Sequence, residues 1–281
     1  MNATTGTLNA FDQPRLSIPA RITLTALALV LILPSLAAGD DGTQQVAANK
    51  PAATKTNSMD LVLGVARKSL EALKQVDDYD ALFIKRERFK RKLVEQRMRI
   101  KFRRRPFSVY LAFEKPHKGR EVIYVHGRND GRMVVHLTGF QKVLGTLKVK
   151  PTGKAAMKRN RYPITDIGMT RMLEMTIDGW EKVRASGGLV ARLLPAKKMD
   201  ERECQLIETV VARPGGKTPF HITRLYIDSK TGLPIRVEQF GFPKKDGGKP
   251  PLLEEYTYRK VKTNVGLADL DFDQSNPEYD Y

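Results

Sequence analysis

Between Tyr79 and Val261 most of the chain alternates apolar and polar residues with a period of two, the spacing of a half-buried strand. The clearest stretch is Phe107–Phe113: Phe107, Val109, Leu111 and Phe113 share one face, while Ser108, Tyr110 and Ala112 take the other. Glu121–His126 and Arg132–Leu137 continue the pattern, and Pro116–Gly119 and Gly127–Gly131 supply turns whose Gly and Asn tolerate positive φ. A three-stranded antiparallel meander is expected there. Before it, Tyr79–Phe102 reads as two strands joined by a basic turn at Phe89–Lys92. In the second, Met98, Ile100 and Phe102 alternate with Arg97, Arg99, Lys101 and Arg103, so a slip of one residue would bury four cations. After the meander, Val143–Lys150 reads as one strand. Glu203–Ala212, Phe220–Asp228, Leu233–Phe240 and Leu252–Val261 read as four more, separated by turns at 213–219, 228–232 and 243–250.

Two stretches follow the helical period instead. Ser58 is placed to cap a helix running to about Gln75, with Leu61, Val65, Leu70 and Leu73 as its apolar stripe. A second helix is expected from about Thr165 to Ala185, with Met169, Leu173, Ile177 and Trp180 on one side, flanked by Met172 and Val183. Ser186–Pro195 reads as a glycine-containing connection. Four of the nine methionines, Met157, Met169, Met172 and Met175, lie close together around this helix. Methionine fills irregular cores and also suits surfaces that adapt to varied apolar ligands.

The N-terminus changes the picture of where these elements work. Ile22–Ala38 is an apolar run that follows Arg15 and Arg21 and ends in Pro34 and small residues, the order of a secretory signal. Residues 1–38 are therefore expected to be a cleaved signal peptide, 39–57 a disordered linker, and 58–281 one domain. A retained anchor is the alternative, for which this run is short. Cys204 is the single cysteine, which excludes an internal disulfide. The 281 residues carry a net charge of +18; residues 1–38 contribute +1, leaving +17 for an exported domain. Such a balance favours anionic partners, a membrane surface or an acidic envelope polymer. Export argues against nucleic acid, and no aromatic stacking motif supports it. The charge is concentrated in Lys85–Arg105, where Arg97, Arg99, Lys101, Arg103, Arg104 and Arg105 form a candidate anion-binding strip. A solvated outer face gives the same pattern. The acidic end, Asp269–Tyr281, could fold against this strip or remain solvated.

Candidate chemistry is sparse. Gly215–Thr218 has the end of a phosphate loop without its first glycine or its strand-to-helix context. Asp269, Asp271 and Asp273 resemble a calcium loop, but Gln274 and Asp280 occupy the positions where that loop needs Gly and Glu. The four histidines lack zinc spacing, though His126 and His136 could face each other across a hairpin. Cys204 reads as a small buried hydrophobe. Glu254 and Glu255 adjoin on a strand and point to opposite faces, which does not make a shared acid/base site. Nothing argues for an enzyme, a cofactor or a metal.

Two resemblances extend this reading. Tyr226–Phe240 (YIDSKTGLPIRVEQF) followed by Glu254–Phe272 (EEYTYRKVKTNVGLADLDF) resembles the C-terminal half of the periplasmic lipoprotein carriers of the LolA/LolB superfamily. Arg105–Val125, Lys158–Gly168 (KRNRYPITDIG) and Asn276–Tyr281 (NPEYDY) resemble an exported bacterial family, domain of unknown function 1571, over about Asp78–Tyr281. The second family brings no assigned activity. The first implies an α+β fold in which a curved antiparallel sheet forms an incomplete β-barrel covered by helices, its concave side holding acyl chains.

The expected protein is thus an exported, monomeric, non-enzymatic binder of lipid or lipoprotein acyl chains. Phe107, Val109, Leu111, Phe113, Met169, Met172, Leu173 and Trp180 are the candidate groove residues, and the basic strip would meet an anionic surface. The alternative is an envelope interaction protein with a solid core that binds acidic polymers or partner proteins through the strip.

Overall fold

The computed structural model describes residues 59–139, 145–185, 187–212, 214 and 218–281. The expected signal peptide, the linker, the Ser58 cap, the start of the Val143 strand and most of the Gly215–Thr218 turn lie outside them.

The chain forms helix α1 (Met59–Lys74), then strands β1 (Asp78–Phe89), β2 (Lys92–Arg103), β3 (Ser108–Lys115), β4 (Glu121–Val125), β5 (Met133–His136) and β6 (Thr146–Val149). A short helix α2 (Lys154–Met157) and the longer α3 (Met169–Arg184) follow. Strands β7 (Leu189–Met199), β8 (Arg202–Val211), β9 (Phe220–Asp228), β10 (Pro234–Gly241) and β11 (Leu252–Thr263) complete one eleven-stranded antiparallel sheet. Its order, β6-β5-β4-β3-β2-β1-β11-β10-β9-β8-β7, is two meanders joined where β1 pairs with β11. The ends do not meet, and one core cluster gathers residues from β5 through to β7 beneath α1 and α3. The sheet is therefore an incomplete barrel wrapped around helices, as expected. Among the described residues no helix is long and apolar enough to cross a membrane.

Three expectations need correction. Residues 189–195, expected within a connection, open the edge strand β7, because Leu189, Ala191 and Leu193 alternate inward. Pro195 lies in an irregularity between Leu194 and Lys197, where an edge strand tolerates a missing donor. Helix α3 starts at Met169, not Thr165: a 3-10 turn at Ile164–Asp166 precedes Gly168, whose φ of 118° breaks the helical path. On α1 the buried stripe is Val62, Ala66, Ser69 and Leu73 with Leu63, and Leu61 faces solvent. The small residues Ala66 and Ser69 are buried on this face, and Ser69 Oγ donates to the Gly232 carbonyl at 2.6 Å.

The outer face explains much of the arginine content. Arg192, Glu208, Arg224, Glu238, Glu255, Arg86 and Glu95 are successive register partners from β7 across β8, β9, β10, β11 and β1 to β2. Arg192 Nε donates to Glu208 Oε1 at 3.0 Å and Arg224 Nε to Glu208 Oε2 at 2.7 Å. Arg236 bridges Glu238 at 2.5 Å and Glu255 at 3.2 Å, and Arg86 reaches Glu255 at 2.9 Å. Directly opposed opposite charges support a register, and like charges undermine it. Glu238 and Glu255 do oppose each other, and Arg236 lies within reach of both.

The acidic C-terminus folds back rather than hanging free. Asp78 accepts the backbone N–H groups of Val265, Gly266 and Leu267 at 2.6, 3.1 and 3.1 Å, turning the chain over the outer face. Phe272 and Tyr279 then cover Tyr110, Ile123 and Val134 as a second small core. Tyr279 stacks on Tyr110 with centroids 4.0 Å apart, and the Asp280 N–H donates to Glu121. NPEYDY is thus a strap seated on β3 and β4.

Gly168 marks the tightest joint between helix and sheet. A Cβ there would stand 2.8 Å from Phe102 Cε2, on a backbone that L side chains avoid. Gly168→Ala is expected to destabilise the protein by about 2–4 kcal/mol, through backbone strain and overpacking together. The urea unfolding midpoint of the full chain checks this.

Candidate functional site

Between the concave face of the sheet, α3 and the 151–168 segment lies a cavity of about 250 Å³. One wall is apolar, with Met98, Leu111, Phe113 and Val122 from the sheet and Met172 and Met175 from the helix. Protein interiors are ordinarily packed to crystal density, so an apolar gap of this size is unusual. A single water needs about 10–15 Å³ of such space, so the cavity is on the scale of a ligand.

The opposite end is polar. Glu87 and Glu254 are register partners on β1 and β11, both buried and both lining the cavity. Two carboxylates set opposite each other repel unless they are engaged. Tyr256 Oη donates to Glu87 Oε1 at 2.6 Å, and the Arg161 N–H donates to Glu87 Oε2 at 3.2 Å. Lys85 Nζ lies 3.5 Å from Glu87 and donates to Asn160 Oδ1. Arg161 Nε is 2.5 Å from Glu254 Oε2, and Tyr162 Oη donates to Glu254 Oε1 at 3.1 Å. The run Asn160-Arg161-Tyr162 therefore latches the cavity wall onto the carboxylate pair. Burial pushes the Glu254 carboxyl up to about 7; Arg161 and Tyr162 oppose the rise, and Glu87 adds to it. Burial likewise lowers the Lys85 ammonium, against the pull of Glu87. A carboxylate beside a cavity that titrates near neutrality can hold or release a proton as a ligand enters.

Of the expected groove residues, Leu111, Phe113 and Met172 line this cavity. Val109, Met169, Leu173 and Trp180 are buried in the packed core beside it, and Phe107 packs against that core. The basic strip lies on the other side of the sheet. Arg97 pairs with Glu114 at 2.6 Å, Arg99 with Asp80 at 3.2 Å, Lys101 with Asp271 at 2.6 Å, Arg103 with Asp269 at 2.7 Å, and Arg104 with Asp77. Arg105 is exposed and has no carboxylate partner among the described residues. His136 sits opposite Glu121, not His126, because β4 ends at Val125. Among the described residues no group of His, Cys, Asp and Glu could hold a metal ion. Cys204 is buried, as expected of a small hydrophobe.

The buried polar end was missed from sequence, although a signal existed. Lys85 and Glu87 continue the inward parity of Tyr79, Ala81 and Phe83, and Glu254 shares the parity of Tyr256 and Tyr258. Charged residues on the apolar parity of a strand mark an exception to the buried face. Glu254 and Glu255 do point to opposite faces; the partner of Glu254 lies across the β1–β11 ladder.

An unclosed antiparallel barrel with helices and a cavity on its concave side defines the architectural class. The chain belongs to the family DUF1571, proteins of unknown function, which it matches over residues 76–281. Among solved structures it is similar to a LolA superfamily protein from Nitrosomonas europaea, at 10% identity and TM-score 0.34, over 75% of this chain and 97% of that one. It is also similar to the lipoprotein LppX from Mycobacterium tuberculosis, at 12% identity and TM-score 0.43, over 75% of this chain and 100% of that one. A DUF1329 family protein from Desulfovibrio piger matches at 14% identity and TM-score 0.37, over 78% of this chain and 99% of that one. No match is found among curated proteins. Likenesses this distant carry no activity across, and the architecture rests on the strand order and register above.

Because the folded pKa of Glu254 is raised, the native state holds a proton between about pH 4.5 and 7 that the unfolded chain has lost. This group's contribution to stability is full below that window and falls as pH rises through it. Glu254→Gln is expected to remove that downward slope, measured as unfolding free energy against pH. A ¹³C titration of the wild-type Glu254 carboxyl should give a midpoint near 7.

Proposed function

We propose that the protein is an exported, non-enzymatic carrier or binding protein whose cavity takes an acyl or similar alkyl chain. The observation that carries this reading is the cavity itself: about 250 Å³ of space, walled on one side by Met98, Leu111, Phe113, Met172 and Met175. Burying apolar chain in it contributes about 0.8 kcal/mol per methylene. The flexible methionines on α3 give the wall room to adapt to chains of differing shape. Residues 1–38 as a cleaved export signal and 39–57 as a linker are part of the same proposal, which puts the domain in the periplasm or cell envelope.

Binding of acidic polymer or a partner protein through Arg97–Arg105 has less support. Arg97, Arg99, Lys101, Arg103 and Arg104 already face carboxylates of the same chain. A surface neutralised internally offers little field to a polyanion.

N-phenyl-1-naphthylamine, a neutral apolar dye, is a suitable probe of the cavity. Wild-type protein should enhance its fluorescence, and added monopalmitoylglycerol should displace it. Met172→Trp, which fills the helix wall, should weaken dye binding at least about tenfold while leaving the fold intact by circular dichroism. A wild-type protein that gives no enhancement has no accessible cavity, and the proposal fails.

A further inference from the structure

The cations that have no carboxylate partner are more informative than the paired ones. Arg120 directly precedes β4, and its carbonyl accepts the Phe113 N–H at 2.8 Å. Its guanidinium lies 5.9 Å from the Phe113 ring centroid. Phe113 and Val122, two residues further along, both line the cavity, so Arg120 stands next to that lining without being part of it. Arg120 is half-buried, its Nε is buried without a hydrogen-bond partner, and no carboxylate pairs with it among the described residues. Burial lowers its pKa with no anion opposing the effect.

A second cation adjoins the lining in sequence. Arg159 is exposed and unpaired among the described residues, and it immediately precedes Asn160, which lines the cavity. His117 lies near both arginines: its pKa is lowered by burial and then by the charges of Arg120 and Arg159. The carboxylates that line the cavity are already engaged. Glu87 and Glu254 are held as described, and Asp166 accepts from Arg171 at 3.3 Å. The two arginines therefore have no carboxylate counter-ion among the described residues, beside a cavity with one apolar wall.

We propose that Arg120 and Arg159 form an anion site at the cavity mouth. The ligand would then be an amphiphile with its alkyl chain inside and a phosphate or carboxylate held at the rim. The proposal rests on the cavity reading above and specifies the ligand class. An arginine fork suits both anions, since it can donate two parallel charge-assisted hydrogen bonds. A bound anion would also satisfy the unpartnered Arg120. It places anion recognition on the concave side, away from the strip on β2.

Isothermal titration of the full chain with palmitoyl-lysophosphatidylglycerol, palmitate, monopalmitoylglycerol and inorganic phosphate tests this. The wild type should bind the two charged amphiphiles at least about tenfold tighter than monopalmitoylglycerol. The double variant Arg120→Gln/Arg159→Gln should lose that preference and keep its affinity for monopalmitoylglycerol. Equal affinities for charged and neutral amphiphiles in the wild type would overturn the anion site and leave the cavity reading standing. So would a preference that survives in the double variant. Inorganic phosphate binding as tightly as the lysolipid would overturn a lipid headgroup as the source of the anion. Failure of every amphiphile to bind would remove the cavity reading and this inference together.

Discussion

The pairing of β1 with β11 is the constraint on which the structure depends. Every other ladder joins strands that are consecutive in sequence, whereas this one brings together segments about 170 residues apart and fuses two meanders into one sheet. Its register places Glu87 opposite Glu254 on the concave side and Arg86 opposite Glu255 on the convex side. It also brings Asp78 to the turn that launches the C-terminal strap. A slip of β11 by one residue would turn Glu255 into the cavity and send Glu254 outward, breaking both the Glu87–Glu254 and the Arg86–Glu255 pairings.

The two faces solve different physical problems. On the convex side charge is offset in place: a row of three arginines and four glutamates crosses seven strands with Arg236 beside its one Glu–Glu pair, and the acidic C-terminus covers Lys101 and Arg103. Single exposed ion pairs contribute little. Here Glu208 is buried between two arginines, so the pairs are required to offset its desolvation. On the concave side α1 and α3 pack against the sheet, and a cavity with an apolar wall and a latched polar end remains.

The alternation of Val109, Leu111 and Phe113 against Tyr110 and Ala112 was enough to place a strand, and Met98–Phe102 against Arg97–Arg103 was enough to face one. The long-range pairing was not legible, because periodicity states which residues share a face and not which strand lies beside them. Hence Glu87 and Glu254, each visible as an exception to its own strand, could not be recognised as partners. Edge strand β7 was obscured by Gly187, Gly188 and Pro195, since an edge tolerates what a central strand excludes. Arg159, Arg161 and Tyr162 sit in a basic run that reads as a loop, and only the fold turns that loop toward the carboxylates. The strip and the acidic tail were each evident, and their mutual neutralisation came from the turn at Asp78.

The central claim is that the space between α3 and the concave face exists to hold a chain-bearing ligand. Native mass spectrometry of protein purified from its native host, without organic solvent or detergent exchange, tests it most directly. The account predicts a mass excess over the polypeptide that disappears on lipid extraction and is absent from the Met172→Trp variant. A protein that always flies at its bare polypeptide mass, and takes up no lipid when offered it, would contradict the account.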